Sequence, residues 1–343
     1  MGAASGVSNN RVRPFAWPRR KRRLAWTFVG GLAVSALGAC NRVQSSFAPF
    51  GAEAESTRTL TVAMTVAAVI IFIGVLLLIR AAHRAPEGRM DTRSGMRLIL
   101  WLGGIGPAVL LLGLLVLTLP SMEPLSSQAG DLRVRVTGEQ FWWRMRYEPA
   151  GQPPVLSANE LRLPVGETVV LDLDGGDVVH SFWVPGLAGK MDMLPGRTNH
   201  LVVRATRPGR YRGQCAEFCG LSHALMAFEV VAMPPPAFRR WLAAERAPAA
   251  PVAAPGRAAF VRRGCGGCHR IGGHGADGVI GPDLTHFAAR EMFAAGTLPR
   301  QTPLVARFIR NPSALKPGAR MPAFADMPPG EARAIAAYLQ ELR

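Results

Sequence analysis

Two uninterrupted apolar runs, Leu60 to Ile79 and Leu98 to Leu119, constrain this chain more than any other feature. Each has the length that crosses the roughly 30 Å hydrocarbon core of a bilayer as a helix, so a transmembrane hairpin is expected over residues 60–119. The joining segment carries Arg80, Arg84, Arg89, Arg93 and Arg97. Positive charge is retained in the cytoplasm, so the chain beyond Pro120 is expected outside. Neither run has a charged residue in its interior, which offers no proton path and leaves anchoring or packing on a membrane partner as its role.

The residues before the hairpin read as targeting. Arg19 to Arg23 form a basic block, followed by an apolar stretch too short to span, which is signal-peptide geometry for residues 1–39. Leu37, Gly38 and Ala39 before Cys40 resemble a bacterial lipobox, making Cys40 the lipidation candidate and residues 40–59 a periplasmic N-terminal segment.

Net charge sharpens the division. The chain of 343 residues carries a formal charge of +17, but residues 131–232 hold 11 basic and 11 acidic side chains and residues 233–343 hold 15 and 7. The excess lacks the basic–aromatic interleaving of a nucleic-acid surface, so no nucleic-acid partner is expected.

From Asp131 the pattern becomes period two, as in LRVRVTGEQFWW and ETVVLDLDGG, with Gly, Pro and Asp turns between. An antiparallel sandwich over residues 131–232 fits. It carries His180 in VVHSFWVP and then Cys215, Cys219, His223 and Met226 in CAEFCGLSHALM. A mononuclear copper site needs two His, one Cys and a weak Met, so one thiol is in excess. Two thiolates bridging two coppers account for it, with one imidazole per metal and Met226 and a loop carbonyl as weak ligands. A Cys215–Cys219 disulfide and a zinc site are the rivals. The first has no use for His180, His223 and Met226, and the thioether counts against the second.

VVHSFWVP, KMDMLPGR and CAEFCGLSHALM resemble subunit II of the haem–copper cytochrome c oxidases, over about residues 55–232. The resemblance implies a cupredoxin fold and a dinuclear copper centre ligated by His180, Cys215, the Glu217 carbonyl, Cys219, His223 and Met226. It also implies magnesium at the Glu217 carboxylate, shared with subunit I, and a loop with Lys190, Asp192 and Arg197 facing that subunit. One departure stands out: where many members carry a tryptophan that receives electrons from soluble cytochrome c, this chain has Phe141 in GEQFWW.

Beyond residue 232 an Ala/Pro-rich stretch, residues 233–254, is expected as an extended, semi-stiff spacer. An all-α unit, residues 255–343, then opens with C-x-x-C-H, the pattern for covalent haem c, through Cys265, Cys268 and the axial ligand His269. A thioredoxin-like or zinc C-x-x-C is the rival, weakened by the adjacent His and the missing second ligand pair. Met321 in KPGARMPAF is the expected sixth ligand, with Met292 and Met327 as packing residues. A terminal helix is expected to pack on the first. GPDL and KPGARMP resemble one-haem cytochrome c domains fused to some bacterial oxidases.

The chain is therefore expected to be multidomain: transmembrane hairpin, all-β cupredoxin sandwich, all-α cytochrome c unit. The expected role is electron relay from haem c to dinuclear copper to subunit I, a haem a-type and copper protein that reduces oxygen and moves protons, with subunit III alongside and a membrane-bound or acidic cytochrome as donor. No catalytic residue is expected in this chain, and its place is the bacterial inner membrane with both cofactor domains periplasmic. A tethered electron carrier for another terminal reductase is the alternative. A copper-delivery module is disfavoured, because delivery gains nothing from a covalent haem.

Overall fold

A computed structural model of the protein describes residues 41–86, 88–122, 125–252 and 254–343. The signal, lipobox and Cys40 readings lie outside the described residues.

Among the described residues, two helices are long and apolar enough to cross a membrane: α1, Ala52–Arg84, and α2, Thr92–Thr118. Both extend beyond the apolar runs at their arginine-bearing loop ends. Midway, residues Ile99–Ile105 of α2 widen into a π-helical turn, with Gly103 and Gly104 in the turn and Pro107 just past it. Proline withholds an amide hydrogen from the helical ladder and forces such an adjustment. The segment before α1 is pinned to the sandwich. Phe50 stacks on Tyr211 with ring centroids 3.4 Å apart, its N–H donates to Gly186 O, and Gly51 packs so tightly on the Leu187 backbone that no side chain fits.

Ten strands form the sandwich: β1 Leu132–Glu139, β2 Trp142–Glu148, β3 Val155–Ala158, β4 Glu160–Pro164, β5 Val169–Gly175, β6 His180–Trp183, β7 Met191–Met193, β8 Asn199–Val203, β9 Gly209–Cys215 and β10 Ala227–Met233. One sheet runs β3-β2-β1-β5-β8 and the other β4-β10-β9-β6-β7. In β1 the inward residues Val134 and Val136 alternate with outward Arg133 and Arg135, as period two dictates. Trp143, Phe182 and Phe228 meet edge-on and stacked at the centre of the core.

Here the structure departs from one expectation. The residues after β10 form a helix, α3, Pro235–Arg246, not an extended spacer. Prolines at its first positions lose no helical hydrogen bond. Phe238, Trp241 and Leu242 recur at helical spacing, and the first two close over Tyr147 at 6.3 and 5.0 Å between centroids. Burying that apolar stripe outweighs the proline and alanine content. The residues after α3 are also held, because His286 Nε2 donates to Glu245 O and Ala247 O and His274 Nε2 donates to Ala250 O.

The C-terminal unit comprises α4 Pro255–Arg262, the hairpin strands β11 Arg270–Ile271 and β12 Ala276–Asp277, a second hairpin of β13 Met292–Phe293 and β14 Leu298–Pro299, then α5 Thr302–Arg310 and α6 Pro329–Leu339. The expected contact between first and last helices is present. Gly256 of α4 meets the backbone of Ala334 in α6 where no Cβ fits, and Phe260 lies across Tyr338. Alanines recur in this core, which is smaller than that of the sandwich.

Candidate metal centres

The sulfur-rich site is built by two strand ends and the loop between β9 and β10. Antiparallel pairing puts Cys215, last residue of β9, opposite Phe182 of β6, and so near His180. The loop is closed by Cys215 N–H to Met226 O at 2.9 Å and Ala216 N–H to Ser181 O at 2.9 Å, with Gly220 at φ 123 making the bend. These bonds bring the six predicted donors into one chain of contacts. Cys215 Sγ lies 3.8 Å from Cys219 Sγ, 3.8 Å from His180 Nδ1 and 3.1 Å from Glu217 O. Cys219 Sγ lies 3.7 Å from His223 Nδ1 and 3.7 Å from Met226 Sδ. The two thiols are free, not a disulfide.

Electrostatics suit a cation. Hydrogen bonding from Cys219 drives the Cys215 thiol strongly toward thiolate, and the bond to Cys215 in turn pushes the Cys219 thiol up. Burial works against charge on His180, but Cys215 and Asp177 outweigh it and raise its pKa. Asp177 is itself held below the usual carboxylate range: burial opposes this, yet the Gln140 N–H, His180 and the Val178 N–H prevail. Two soft sulfurs, two imidazoles and a thioether, almost wholly enclosed, are a donor set that fits copper.

Three supports of this site carry no motif signal in the sequence. Asp177 Oδ1 accepts from His180 Nε2 at 2.8 Å, which turns Nδ1 toward Cys215. Gly138 lies directly under the His180 ring, where a Cβ would stand 2.8 Å from Cγ. Gln140 Nε2 donates to Cys219 O at 2.6 Å. Glu217, by contrast, is exposed with its carboxylate facing outward, apart from the enclosed donors.

In the helical unit, His269 follows Cys265 and Cys268 in a tight turn. Its Nδ1 donates to Pro282 O at 2.8 Å, leaving Nε2 free, and burial lowers its pKa and keeps it neutral. Gly281 lies against this ring as Gly138 lies against His180, with 2.5 Å from an added Cβ to Cε1. Cys265 and Met321 both border the apolar cluster of the unit, beside Leu284, Leu304, Phe308 and Phe324. Met327 is 1% exposed within the core and Met292 sits in a hairpin strand. A neutral imidazole with one free nitrogen, two half-buried thiols and an apolar lining fit a covalent haem.

Fold and donor sets define a class: a membrane-anchored sandwich with a sulfur-rich metal site, fused to a haem-type unit. A family model described as the periplasmic domain of cytochrome c oxidase subunit II matches residues 148–233, and a cytochrome c model matches residues 253–343. Cytochrome c oxidase subunit 2 of Alkalihalophilus pseudofirmus is 40% identical over 222 residues, covering 63% of this chain and 63% of that protein. The Cereibacter sphaeroides protein of the same name is 30% identical over 218 residues, covering 52% of this chain and 71% of its own. Among solved structures, the periplasmic domain of subunit II of cytochrome oxidase from Bradyrhizobium japonicum is 28% identical with a TM-score of 0.33, covering 35% of this chain and 97% of that one. The chain spans 63% and 62% of the lengths of the first two curated relatives. It belongs to the cytochrome c oxidase subunit II family, with a cytochrome c domain at its C-terminal side, and membership implies copper and haem.

Proposed function

We propose that this chain is the electron-relay subunit of a membrane cytochrome c oxidase, standing between a haem c held by its own C-terminal unit and subunit I, where oxygen is reduced and protons are moved. The observation that carries this reading is the cluster of two thiols, two imidazoles and a thioether that two strand ends and one loop bring together. Copper, when bound there, would supply a one-electron couple.

The residues divide the work. Cys215, Cys219, His180 and His223 would hold the copper as its strong ligands, and Met226 Sδ and Glu217 O would be the weak ones. Asp177 fixes the His180 tautomer, and the sandwich core excludes water from the sulfurs. In the C-terminal unit Cys265 and Cys268 would hold the haem through thioether links, with His269 Nε2 and Met321 as its iron ligands. The exposed Glu217 carboxylate suits a magnesium ion shared with subunit I. The arginines between α1 and α2 support a cytoplasmic loop, hence cofactor domains on the periplasmic side of the inner membrane. Subunit III and an acidic or membrane-bound cytochrome donor complete the expected assembly.

Purification of the tagged chain from membranes tests this. Two coppers and one haem c per chain are expected, with a copper EPR spectrum of one electron shared by two nuclei and a co-purifying large haem a-containing polypeptide. Met321→Ala should abolish the near-infrared sulfur-to-iron band, and Met292→Ala and Met327→Ala should keep it. A single-ion hyperfine pattern, or a partner reducing something other than oxygen, would overturn the reading.

A further inference from the structure

The residues immediately before Met321 reach the sandwich. Lys316 is buried, and Pro317, Gly318 and Arg320, although exposed, each touch the copper-ligand loop or its supports. Lys316 is 4% exposed, and its Nζ donates to Leu225 O at 3.0 Å, the residue before Met226. Pro317 O accepts from Ser222 Oγ at 2.6 Å, the residue before His223. Gly318, at φ 74, presses on Phe141 and Leu221, each 3.2 Å from where its Cβ would be. Arg320 reaches Asp177 Oδ2 at 3.0 Å and Gln140 Oε1 at 3.2 Å. Asp177 holds His180, and Gln140 holds the Cys219 carbonyl.

A second segment of the haem unit closes on the same loop. Ala294 and Ala295 have φ 51 and 59, a left-handed conformation that is costly for alanine and persists only where surroundings impose it. It aims Ala294 O at Lys316 Nζ, 2.9 Å away, and Ala295 O at Ala227 N–H, 3.1 Å away. Ala227 opens β10, so that amide hydrogen is committed to the haem unit rather than to the sandwich. Arg212 Nη1 adds a bond to Gly296 O at 2.5 Å.

A buried lysine needs partners for its charge. A lysine serving only the folding of the haem unit would find them there. Lys316 draws one from each domain, so its burial is complete only when the two are seated together. The same seating covers Phe141, which is 5% exposed.

We propose that Lys316–Arg320 form an intramolecular latch, which seats the haem unit on the copper-ligand loop, fixes the Met321 side of that unit over Phe141, and closes this face of the sandwich to external electron donors. The latch rests on the reading of the two metal centres given above. Lys316 and Arg320 act as positioning residues. Phe141, which stands where the resembled family carries its tryptophan, is covered, and the cover is the proposed donor itself.

The test uses the full chain with its cofactors, with copper and haem content and spectra verified in each variant. Amide hydrogen exchange at Ala227 reports seating. Photoreduction of the haem, followed by the arrival of the electron at copper, reports its consequence. Lys316→Met should raise Ala227 exchange and slow the transfer, each at least tenfold, with both metal spectra unchanged, and should let a soluble cytochrome reduce copper directly. Arg320→Gln, at a surface position that cannot unfold the domain, should shift the same three readings in the same direction by a smaller factor. Wild-type exchange in both variants overturns the latch, and raised exchange with wild-type transfer overturns its positioning role. A wild-type chain lacking either metal would instead overturn the reading beneath it, and Ala227 exchange alone would then decide whether the seating exists.

Discussion

The two metal sites lie in one chain and are built on opposite plans. In the sandwich, the donors touch each other across strand ends and one loop, on a core of large side chains such as Trp143, Tyr147 and Phe228. In the C-terminal unit, three short helices of 8, 9 and 11 residues surround an alanine-rich core. Helices shorter than about 12 residues are marginal alone and depend on tertiary burial. A metal ion is small enough for a fold to preassemble its site without it. A haem is as large as several side chains, so a unit that binds one is expected to rely on it for part of its core. The difference teaches where stability and cofactor are separable.

The largest effect that could break this comparison is on folding itself. Replacing Cys265 and Cys268 by Ala prevents covalent haem attachment. The helical unit should then lose its cooperative melting transition, because the stability of a domain of this size is only about 5–15 kcal/mol and the missing core contributes a large share. Replacing Cys215 and Cys219 by Ser removes the bridging sulfurs and should lower the melting temperature of the sandwich by less than about 10 °C. Calorimetry on the two full-length variants measures both. Equal losses in the two domains would mean that the sandwich also depends on its metal.

A smaller perturbation sharpens the contrast, since both histidines rest on a glycine. Gly138→Ala would put a Cβ 2.8 Å from His180 Cγ, and Gly281→Ala would put one 2.5 Å from His269 Cε1. Overpacking of this kind costs about 1–3 kcal/mol and turns the ring away. At the proposed copper site ligands alone would hold the metal, so Gly138→Ala should empty it. At the proposed haem site the thioethers would remain, so Gly281→Ala should keep a full complement of haem with a high-spin spectrum. Metal analysis and visible spectroscopy separate the two. Loss of haem from Gly281→Ala would show that the covalent links do not act independently of the axial ligand.

These pairs also mark where the sequence is legible. Each donor of CAEFCGLSHALM is chemically distinctive and the spacing is tight, so the donor cluster of the proposed copper site is legible in the sequence, and CGGCH is equally explicit as a candidate haem motif. The sandwich follows from its period-two strands, and α1 and α2 follow from apolar length. Gly138 and Gly281 are silent, because a missing Cβ acquires meaning only when the ring above it is known. Asp177 is one acid among turn residues in DGGDVVH. Lys316 and Arg320 resemble solvated loop charges, since their partners are some 90 and 140 residues away. Helix α3 is hidden by its prolines, although Phe238, Trp241 and Leu242 have helical spacing. What the sequence withholds is long-range: which surface covers which residue.

The smallest expected effect concerns how each histidine is oriented, and here the two sites differ in a way that side-chain replacement can reach on one side only. His180 Nε2 is held by a carboxylate, Asp177, whereas His269 Nδ1 is held by a backbone carbonyl, Pro282 O. Asp177 does more than orient: with Cys215 it outweighs burial and raises the basicity of His180. Asp177→Asn keeps an acceptor of nearly the same shape and removes the charge. Loss of a carboxylate behind a metal-bound imidazole costs roughly 10–100-fold in affinity, so a chelator competition should show copper bound about that much more weakly, with the EPR pattern of the shared electron preserved. Pro282→Ala leaves the carbonyl in place and should leave the haem spectrum unchanged. An unchanged copper affinity in Asp177→Asn would mean that packing between Gly138 and Trp143, rather than the carboxylate, fixes His180, and the two histidines would then be held by the same kind of constraint.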